Sequence, residues 1–334
     1  MGYRIQNNTR CGVIGYGSWA TALVHTLEKN KKEIWWHIRN EEVLESMQTE
    51  GRNAKYLSDI EFNKDRVIAT SDLNEVVRNC EIILVAAPSA YLKKFLEELT
   101  EPLEGKFILS ATKGIVPDEL ITITEYFNRA YNLPYSNIGV ISGPSHAEEV
   151  ADNKLSYLTV ACKAEENAKL IGEMFATNNV KISYSEDIYG IEYAGILKNI
   201  YALASGLANG LGYGDNFRAV LTAASAQEMT RFINESYPFE RDTTDAAYLG
   251  DLLVTSYSNF SRNRRLGQLI GKGCSVKSAL NEMTMVAEGY FAAACLIFTP
   301  SATGQVATNN HFHTESFTAN THCYHWVGGG LFPV

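Results

Sequence analysis

Ammonium and carboxylate groups in three separate segments are the first candidates for chemistry in this sequence. Lys113 follows a short apolar run, Lys198 lies in a stretch rich in alanine and leucine, and Asp251 has apolar neighbours. Because an unpaired carboxylate in an apolar environment is costly, we expect Asp251 to have a cationic partner, and Lys198 is the candidate. A partly desolvated lysine has a lowered pKa and can donate a proton to a nascent alkoxide.

Each of these residues also has an ordinary structural interpretation. Lys113 is consistent with a surface lysine, Lys198 with a lysine that extends from a packed helix to solvent, and Asp251 with a helix cap. Gly195, Lys198 and Ala202 fall on one helical face, and we expect the small residues there to leave room for a ligand.

A cluster of arginines predicts a phosphate site. Arg262, Arg264 and Arg265 lie where a new helix is predicted to begin, beside Ser261 and Asn263. The helix dipole disfavours cations there, and a bound dianion would resolve the conflict, because guanidinium groups and helix N-terminal amides both bind phosphate. A solvated basic loop is the alternative.

A glycine-rich turn near the N-terminus predicts a dinucleotide site. The run Gly15-Tyr16-Gly17-Ser18-Trp19-Ala20 follows a predicted strand and opens a predicted helix, with the pattern G-x-G-x-x-A. Backbone amides approach a pyrophosphate at such a turn. The alternative is a glycine-rich turn without a ligand, which the order strand, turn, helix disfavours.

The end of the second predicted strand bears on the choice of dinucleotide. It reads Ile38-Arg39-Asn40, without the acidic residue that grips the ribose in NAD-selective sites. Arg39 either pairs with the 2′-phosphate of NADP, which makes NADPH a plausible cofactor, or is an ordinary solvated arginine, and the sequence favours neither.

The segment Ser142–Glu148 also follows a predicted strand. Ser145 and Glu148 have the S-x-x-E spacing of a capping box, so we expect part of this motif to be a helix start. His146 lies between them, and we assign it no role in proton transfer.

Alternating β-rich and helical stretches place these motifs in an α/β fold. The predicted strands are Cys11–Ile14, Glu33–Ile38, Ile82–Ala86, Phe107–Ala111 and Ile138–Ser142. Their order is typical of a Rossmann-type doubly wound parallel sheet, which binds ligands at the carboxyl ends of its strands.

From about residue 188 the pattern becomes mainly helical, with predicted helices over 193–209 and 217–236. We therefore predict a dinucleotide-binding Rossmann domain over residues 1–189, an all-helical substrate domain over 190–298, and an atypical tail over 299–334.

Composition excludes several classes of function. The chain has 334 residues, 46% of them hydrophobic, and a formal net charge of -9, which argues against nucleic acid or an anionic membrane as the main partner. No apolar run is long enough for a membrane span. Six scattered cysteines without C-x-x-C pairs are typical of a reducing compartment, so we expect a cytoplasmic protein.

The tail departs from the rest of the chain, because helical periodicity ends after Phe298. We interpret it as a divergent or frame-altered end. The tail contains histidine and cysteine residues, which are common metal ligands, but the sequence around them shows no turns or folded scaffold of a metal site. We therefore predict no bound metal. These residues are His311, His313, His322, Cys323 and His325.

Together, these segments resemble the NAD(P)-dependent glycerol-3-phosphate dehydrogenase family from about residue 11 to 290. The matching segments are Gly15–Trp19, Ala111–Gly114, Ile141–Glu148, Leu197–Asn199, Gly250–Leu252, Ser261–Arg264 and, with one residue inserted or shifted, Val286–Gly289.

The resemblance implies interconversion of dihydroxyacetone phosphate and sn-glycerol 3-phosphate by hydride transfer with NAD or NADP, feeding glycerophospholipid synthesis, in a homodimer. It implies that Lys198 is the general acid and base, assisted by Lys113 and Asp251. The implied substrate contacts are Lys113, Gly143, Ser145, Lys198, Asp251, Ser261, Arg262 and Asn263. The implied cofactor contacts are Gly15, Gly17, Ser18, Trp19, Arg39, Lys113, Ala147, Arg262, Val286 and Glu288.

Two alternatives remain open at this point. Another two-domain dehydrogenase acting on a hydroxy acid would need a carboxylate site in place of the phosphate site. A dinucleotide-sensing protein without catalysis would bind the cofactor, but it gives no reason for Lys113, Lys198 and Asp251 to occur together.

Overall fold

A largely parallel β-sheet forms the core of the N-terminal half of the protein. A computed structural model describes residues 4–6, 9–31, 33–283, 285–298, 324–327 and 330–333, and within them this sheet has eight strands in the order β10-β9-β8-β5-β4-β1-β2-β3. The strands in chain order are β1 (Cys11–Ile14), β2 (Ile34–His37), β3 (Val67–Thr70), β4 (Ile82–Val85), β5 (Phe107–Ser110), β6 (Ile115–Val116), β7 (Ile121–Thr122), β8 (Ile138–Ser142), β9 (Ser156–Cys162), β10 (Val180–Ser185), β11 (Tyr324–Val327) and β12 (Gly330–Pro333). Two antiparallel pairs, β6 with β7 and β11 with β12, are separate from the sheet.

The sheet confirms the predicted Rossmann-type fold and adds strands to it. The five predicted strands are present to within one residue at each end. The prediction missed β3, β9 and β10. Both edge strands, β3 and β10, expose part of their side chains, so polar residues interrupt the apolar run that marks a central strand. β9 pairs antiparallel to β8, so β9 and β10 run against the other strands.

The central strands are buried on both faces because helices cover each side. Alternate residues of one strand enter different apolar clusters: Leu84 of β4 and Leu109 of β5 face one cluster, and Ile83 and Ile108 face the other. The strands therefore read as continuous apolar runs, which is why the sequence located them.

The helices in chain order are α1 (Ser18–Glu28), α2 (Glu41–Glu50), α3 (Leu73–Asn79), α4 (Leu92–Leu96), α5 (Ile123–Tyr131), α6 (Ala147–Ala151), α7 (Glu165–Phe175), α8 (Ile188–Gly210), α9 (Asp215–Ser236), α10 (Asp251–Tyr257), α11 (Arg262–Gly271), α12 (Val276–Glu282) and α13 (Glu288–Phe298). A π-helical turn, Ala246–Gly250, precedes α10. The two long helices α8 and α9 are both longer than predicted. The proposed domain boundary after residue 189 falls in the first turn of α8 and stays a prediction.

A buried carboxylate explains where α8 begins. The Asp187 side chain accepts a hydrogen bond from the Gly190 amide at 2.9 Å and so caps the helix. The same carboxylate pairs with Arg241 (Nε–Oδ2 2.6 Å) and accepts a hydrogen bond from the Tyr248 hydroxyl at 2.6 Å. The N-terminus of α8 is therefore held to a segment some fifty residues later, which local sequence patterns cannot indicate.

The helices α8 and α11 approach each other at backbone distance. Gly206 and Gly210 on α8 face Gly267 and Gly271 on α11, and each pair has the spacing of one helical turn. A Cβ atom on Gly206 would overlap the Arg264 carbonyl oxygen. This glycine seam sets the distance between the helix that carries Lys198 and the helix that begins at Arg262.

A second buried carboxylate ties α8 to the N-terminal half. Glu192 is 2% exposed, and its carboxylate accepts hydrogen bonds from the Thr124 amide at 3.0 Å and the Thr124 hydroxyl at 2.5 Å, at the start of α5. Burial raises the pKa of Glu192 to about 7, and the hydrogen bonds from Thr124 offset only part of that increase.

The tail lies mostly outside the described residues, and so does the His/Cys cluster of residues 311–325 apart from the backbone of His325 in β11. In the part of the chain that the structure describes, we find no helix long and apolar enough to cross a membrane.

Gly206→Ala and Gly267→Ala are expected to destabilise the protein. Helix propensity alone would make each substitution stabilising by up to about 1 kcal/mol. The added methyl groups overlap backbone carbonyl oxygens, so we expect a loss of about 1–3 kcal/mol in the free energy of unfolding, measured by urea denaturation. Gly214→Ala is the control, because its Cβ meets nothing within 4 Å. Stabilisation by either seam variant would contradict the close approach.

Glu192 should make the protein less stable as the pH rises. Its folded-state pKa is raised to about 7, so the stabilisation is complete below its unfolded pKa and is lost as the pH passes through about 7. We expect a loss of about 3 kcal/mol in the free energy of unfolding between about pH 5 and pH 8.

Glu192→Gln, which stays neutral, should remove that loss in urea titrations at several pH values. Glu186→Gln at a nearby exposed position is the matched control and should keep the wild-type dependence. An unchanged pH dependence in Glu192→Gln would show that Glu192 is not its source.

Candidate active site

Asp251 lies between two lysines from different parts of the fold. Its Oδ1 pairs with Nζ of Lys198, and its Oδ2 lies 3.0 Å from Nζ of Lys113. Asp251 is 1% exposed and Lys198 is 6% exposed, so this is a buried ion cluster. The predicted pairing of Asp251 with Lys198 is present, and the interpretations of Asp251 as a simple cap and Lys198 as a solvent-reaching lysine are wrong.

Hydrogen bonds to the backbone position the Lys113 segment. After β5, the Thr112 hydroxyl donates to the carbonyl oxygens of Val85 at 3.2 Å and Ala87 at 2.8 Å, which ties this loop to the end of β4. The Lys113 ammonium also donates to the Gly143 carbonyl at 3.2 Å. The Asn199 side chain donates to the Lys113 carbonyl at 3.0 Å, which links this loop directly to α8.

The space beside Lys198 is used by the protein itself. A Cβ atom on Gly195 would come within 3.5 Å of Cγ of Lys113 and 3.3 Å of Oγ of Ser142. The expectation that the small residues there leave room for a ligand is therefore wrong for Gly195, because Lys113 occupies that space on its way to Asp251.

Burial and like charge make Lys198 an unusually weak base. Burial and the Lys113 charge together lower the pKa of its ammonium to about 7, and the Asp251 carboxylate opposes both effects. Burial by itself would raise the pKa of the Asp251 carboxyl, but the two ammonium groups hold that pKa below its usual value. Lys198 can therefore exchange a proton near neutral pH while Asp251 stays ionised.

A cavity of about 500 Å³ opens in front of this cluster, within the usual size range for small-ligand sites. Residues of both halves of the chain line it. The predicted site residues on its wall are Gly17, Ser18, Trp19, Lys113, Ser145, Ala147, Lys198, Ser261, Arg262, Asn263, Val286 and Glu288.

Four predicted site residues do not line this cavity. Asp251 lies behind the lysines, and Gly143 presents its carbonyl to Lys113. Gly15 packs against the end of β4, where a Cβ atom would lie 2.8 Å from the Ala86 carbonyl oxygen. Arg39 lies after β2, with its guanidinium carbon 5.1 Å from the centre of the Phe95 ring.

The turn between β1 and α1 fits a dinucleotide pyrophosphate. Gly15 has φ +113°, a conformation that favours glycine, and Gly17 has no atom within 4 Å of its Cβ position, so that side of the turn is open. No side chain caps the eleven-residue helix α1. Trp36 donates to the Gly15 carbonyl at 2.6 Å and Asn53 to the Tyr16 carbonyl at 2.9 Å, so the turn is held in place. Open first-turn amides on a fixed turn are suited to a phosphate.

The end of β2 carries a cation and no carboxylate. Arg39 donates to the Lys94 carbonyl at 2.9 Å and lies over Phe95. Asn40 caps α2 by accepting a hydrogen bond from the Val43 amide at 3.0 Å. The cation at this position is compatible with a ribose phosphate.

The three predicted arginines do not converge. Helix α11 begins at Arg262 as predicted, with Ser261 as its N-cap. Of the three, only Arg262 lines the cavity, and its guanidinium makes no ion pair or hydrogen bond with the described residues, although the charges of Glu148 and Glu288 act on it. Arg264 donates to Asn259 at 2.9 Å, and exposed Arg265 lies 3.7 Å from Glu282. The spacing of consecutive helical residues sends these side chains in different directions.

The predicted capping box at Ser145 is wrong. Helix α6 begins at Ala147, and His146 occupies the N-cap position without a side-chain capping bond. The Ser145 hydroxyl instead donates to the Gly143 carbonyl at 2.9 Å. Gly143 has φ +132°, so the chain turns there and shifts the helix start by one residue.

The start of α13 closes the cavity from the C-terminal side. Glu288 accepts hydrogen bonds from the amide (2.9 Å) and the hydroxyl (2.5 Å) of Ser89, which follows β4. Burial raises the pKa of Glu288, and Ser89 and Arg262 oppose the shift. Asn263 accepts a hydrogen bond from the Gly289 amide at 2.8 Å, so α11 and α13 are joined beside the cavity.

Among the residues of the cavity wall that the sequence prediction did not assign are Tyr56, Asn199 and Thr255. Asn199 follows Lys198 directly, and Thr255 lies one helical turn after Asp251, so spacing from the predicted residues could have indicated both. Tyr56 reaches the wall from the loop after α2. Asn53 holds this loop by accepting the Tyr56 amide at 3.1 Å, which no local pattern indicates.

Comparison with known proteins agrees with this geometry. Residues 10–168 match the model of the NAD-dependent glycerol-3-phosphate dehydrogenase N-terminus, and residues 187–305 match that of the C-terminus. A glycerol-3-phosphate dehydrogenase of Salinibacter ruber is 37% identical over 84% of this chain and 82% of its own length. The corresponding enzyme of Macrococcus caseolyticus is 34% identical over 83% of this chain and 84% of its own.

Among solved structures, glycerol-3-phosphate dehydrogenase from Coxiella burnetii superposes with a TM-score of 0.80 and 28% identity, covering 87% of this chain and 89% of the other. The matches span both halves of the fold and every segment that meets at the cavity. The chain therefore belongs to the NAD-dependent glycerol-3-phosphate dehydrogenase family.

Proposed function

We propose that this protein is a glycerol-3-phosphate dehydrogenase, which interconverts dihydroxyacetone phosphate and sn-glycerol 3-phosphate with NAD or NADP. The observation that carries the proposal is the buried cluster of Lys113, Asp251 and Lys198 at one cavity with the open β1–α1 turn and Arg262. The relatives named above carry this activity in their names.

Arg262 is the proposed anchor for the substrate phosphate. Its guanidinium makes no ion pair or hydrogen bond with the described residues, and burial lowers its pKa against the opposing charges of Glu148 and Glu288. A dianion beside it would offset that desolvation and accept further hydrogen bonds from Asn263 and Ser261. Binding the non-reacting end in this way holds the carbonyl in place.

Lys198 is the proposed proton donor and acceptor. The cofactor, when bound at the β1–α1 turn, supplies a hydride for the carbonyl carbon. The electron pair of the C=O bond moves to oxygen, and Lys198 gives that oxygen a proton, which leaves a neutral amine beside Asp251. Asp251 orients both lysines, and Lys113 contributes positive charge towards the developing alkoxide.

The cofactor side of the site involves the turn residues and the start of α13. Gly15, Gly17, Ser18 and Trp19 are proposed to bind the pyrophosphate and adjacent groups. We propose that Ala147, Val286 and Glu288 surround the nicotinamide end of the cofactor, since all three residues line the cavity. Arg39 favours NADP, because β2 ends without a carboxylate.

The wider assignments are proposals by family resemblance. They comprise a homodimer, a cytoplasmic location, and supply of glycerol 3-phosphate to phospholipid synthesis. The proposed division of labour places the cofactor on residues 1–189 and much of the substrate site on residues 190–298.

Lys198→Ala should lose turnover and keep cofactor binding. Oxidation of NADH and NADPH is followed with dihydroxyacetone phosphate, and we expect kcat to fall by about 10²–10⁴-fold because the proton donor is removed. Lys277→Ala, an exposed lysine on α12, is the matched control and should be unaffected.

Three outcomes would contradict the proposal in different ways. A folded wild type that binds the cofactor without turnover would support a dinucleotide-sensing protein. Equal activity on phosphate-free 2-oxo acids would support a hydroxy-acid dehydrogenase. Full activity of Lys198→Ala would exclude Lys198 as the proton donor.

Lys113→Gln should move the pH profile to higher pH. Ketone reduction needs protonated Lys198, so kcat/KM falls as the pH rises through about 7. The Lys113 charge contributes to that low pKa. Its removal should shift the midpoint of the alkaline limb to higher pH by about 1 unit, whether or not the maximal rate also falls. Profiles measured from about pH 5 to pH 10 check this, and an unmoved or lowered limb would contradict the assignment of that limb to Lys198.

A further inference from the structure

His146 is a cavity residue with one ring nitrogen that has no hydrogen-bond partner among the described residues. Its ring lies at the start of α6, with its centre 5.9 Å from that of Phe260, which belongs to the loop before α11. Its side chain lines the cavity together with those of Lys113 and Lys198. Nε2 of His146 is buried and has no hydrogen-bond partner among the described residues.

Several other polar groups at or behind the cavity wall are paired within the protein. Lys113, Lys198 and Asp251 satisfy one another, and the Ser145 hydroxyl bonds to a backbone carbonyl. A buried polar atom without a partner is unfavourable, so such an atom in a folded protein marks a place for a water or a ligand group. Among the buried side-chain nitrogen and oxygen atoms of the cavity wall, Nε2 of His146 is the one without a hydrogen-bond partner in the described residues.

The ring is neutral in the pH range where the enzyme works. Burial lowers the pKa of His146 to about 4, with contributions from the charges on Lys198 and Lys113, whereas Asp251 and a hydrogen bond to the Val254 backbone oppose the shift. A neutral imidazole has one N–H donor and one lone-pair acceptor. It therefore suits a hydroxyl group, whereas phosphate is better served by Arg262.

One functional group of the proposed substrate has no partner among the residues assigned above. Its phosphate is assigned to Arg262 and its carbonyl to Lys198, which leaves the unphosphorylated hydroxymethyl group. We propose that the imidazole of His146 hydrogen-bonds this hydroxyl and makes the enzyme select substrates that carry it. This inference rests on the proposed function, and it makes His146 a specificity residue with no part in proton transfer to the carbonyl.

Hydroxyacetone phosphate tests the proposal, because it replaces only the hydroxymethyl group of dihydroxyacetone phosphate by a methyl group. The wild type should prefer dihydroxyacetone phosphate by about 10- to 100-fold in kcat/KM, which is the size of the penalty for leaving one buried hydrogen-bonding group unpaired. His146→Phe keeps a ring against Phe260 and removes both nitrogens. It should lose that preference, with kcat/KM falling about 10- to 100-fold for dihydroxyacetone phosphate and by less than about threefold for the analogue.

Two further variants separate hydrogen bonding from packing. His146→Asn retains a donor and an acceptor and should recover part of the preference. His25→Phe is the matched control, because His25 on α1 also has a buried nitrogen without a partner in the described residues and packs against Phe62, away from the cavity. It should leave the ratio of the two kcat/KM values unchanged.

The outcomes distinguish this inference from the proposed function. If the wild type is active and His146→Phe loses the same factor in kcat/KM on both substrates, His146 is a structural residue. That result would overturn the inference and leave the proposed function intact. An unchanged ratio in that variant would overturn it as well. Absence of wild-type turnover with either cofactor, in protein shown to be folded by circular dichroism, would overturn the proposed function and the inference together.

Discussion

The buried carboxylate of Asp251 is the interaction on which the site depends. It holds the ammonium groups of Lys113 and Lys198, which come from a loop after β5 and from the middle of α8. Two cations and one anion in a desolvated space leave a net positive charge beside the cavity. Removing the carboxylate would leave two buried ammonium groups without a counter-charge. Its presence keeps both lysines in fixed positions. Burial and the Lys113 charge depress the pKa of Lys198 despite the opposing effect of Asp251, so Lys198 is a usable acid near neutrality.

The helix α8 connects this cluster to the rest of the molecule. Asp187 caps its start, Glu192 ties it to α5, and Asn199 holds the Lys113 loop. Near its end, the glycine seam at Gly206 brings α11 close enough for Arg262 to share the cavity with Lys198. Polar contacts set the position of α8 along its axis, and backbone contact with α11 sets the distance across it. The proposed proton donor and the proposed phosphate anchor are therefore both carried by packed helices, which favours precise positioning.

Sequence reasoning succeeded where burying a residue type without a partner costs much free energy. It failed where the position of a side chain depends on a contact with a distant part of the chain. The cost of an unpaired buried carboxylate was enough to predict a cation for Asp251. The loop that carries Lys113 packs against α8 from another part of the chain. Because of this packing, both lysines pair with Asp251 and Lys113 fills the space beside Gly195. The capping prediction at Ser145 failed because the turn at Gly143 gave its hydroxyl a nearer acceptor.

The sequence by itself determined five strands of the sheet, the two long helices, the glycine turn and the set of reactive residue types. These follow from local backbone preferences and from the period of buried apolar residues, which are properties of short segments. Only the tertiary structure decided which arginine faces the cavity, that His146 has a buried nitrogen without a partner in the described residues, and that Lys198 is buried. Those properties depend on dielectric and distance between residues far apart in the chain, and folding alone sets them.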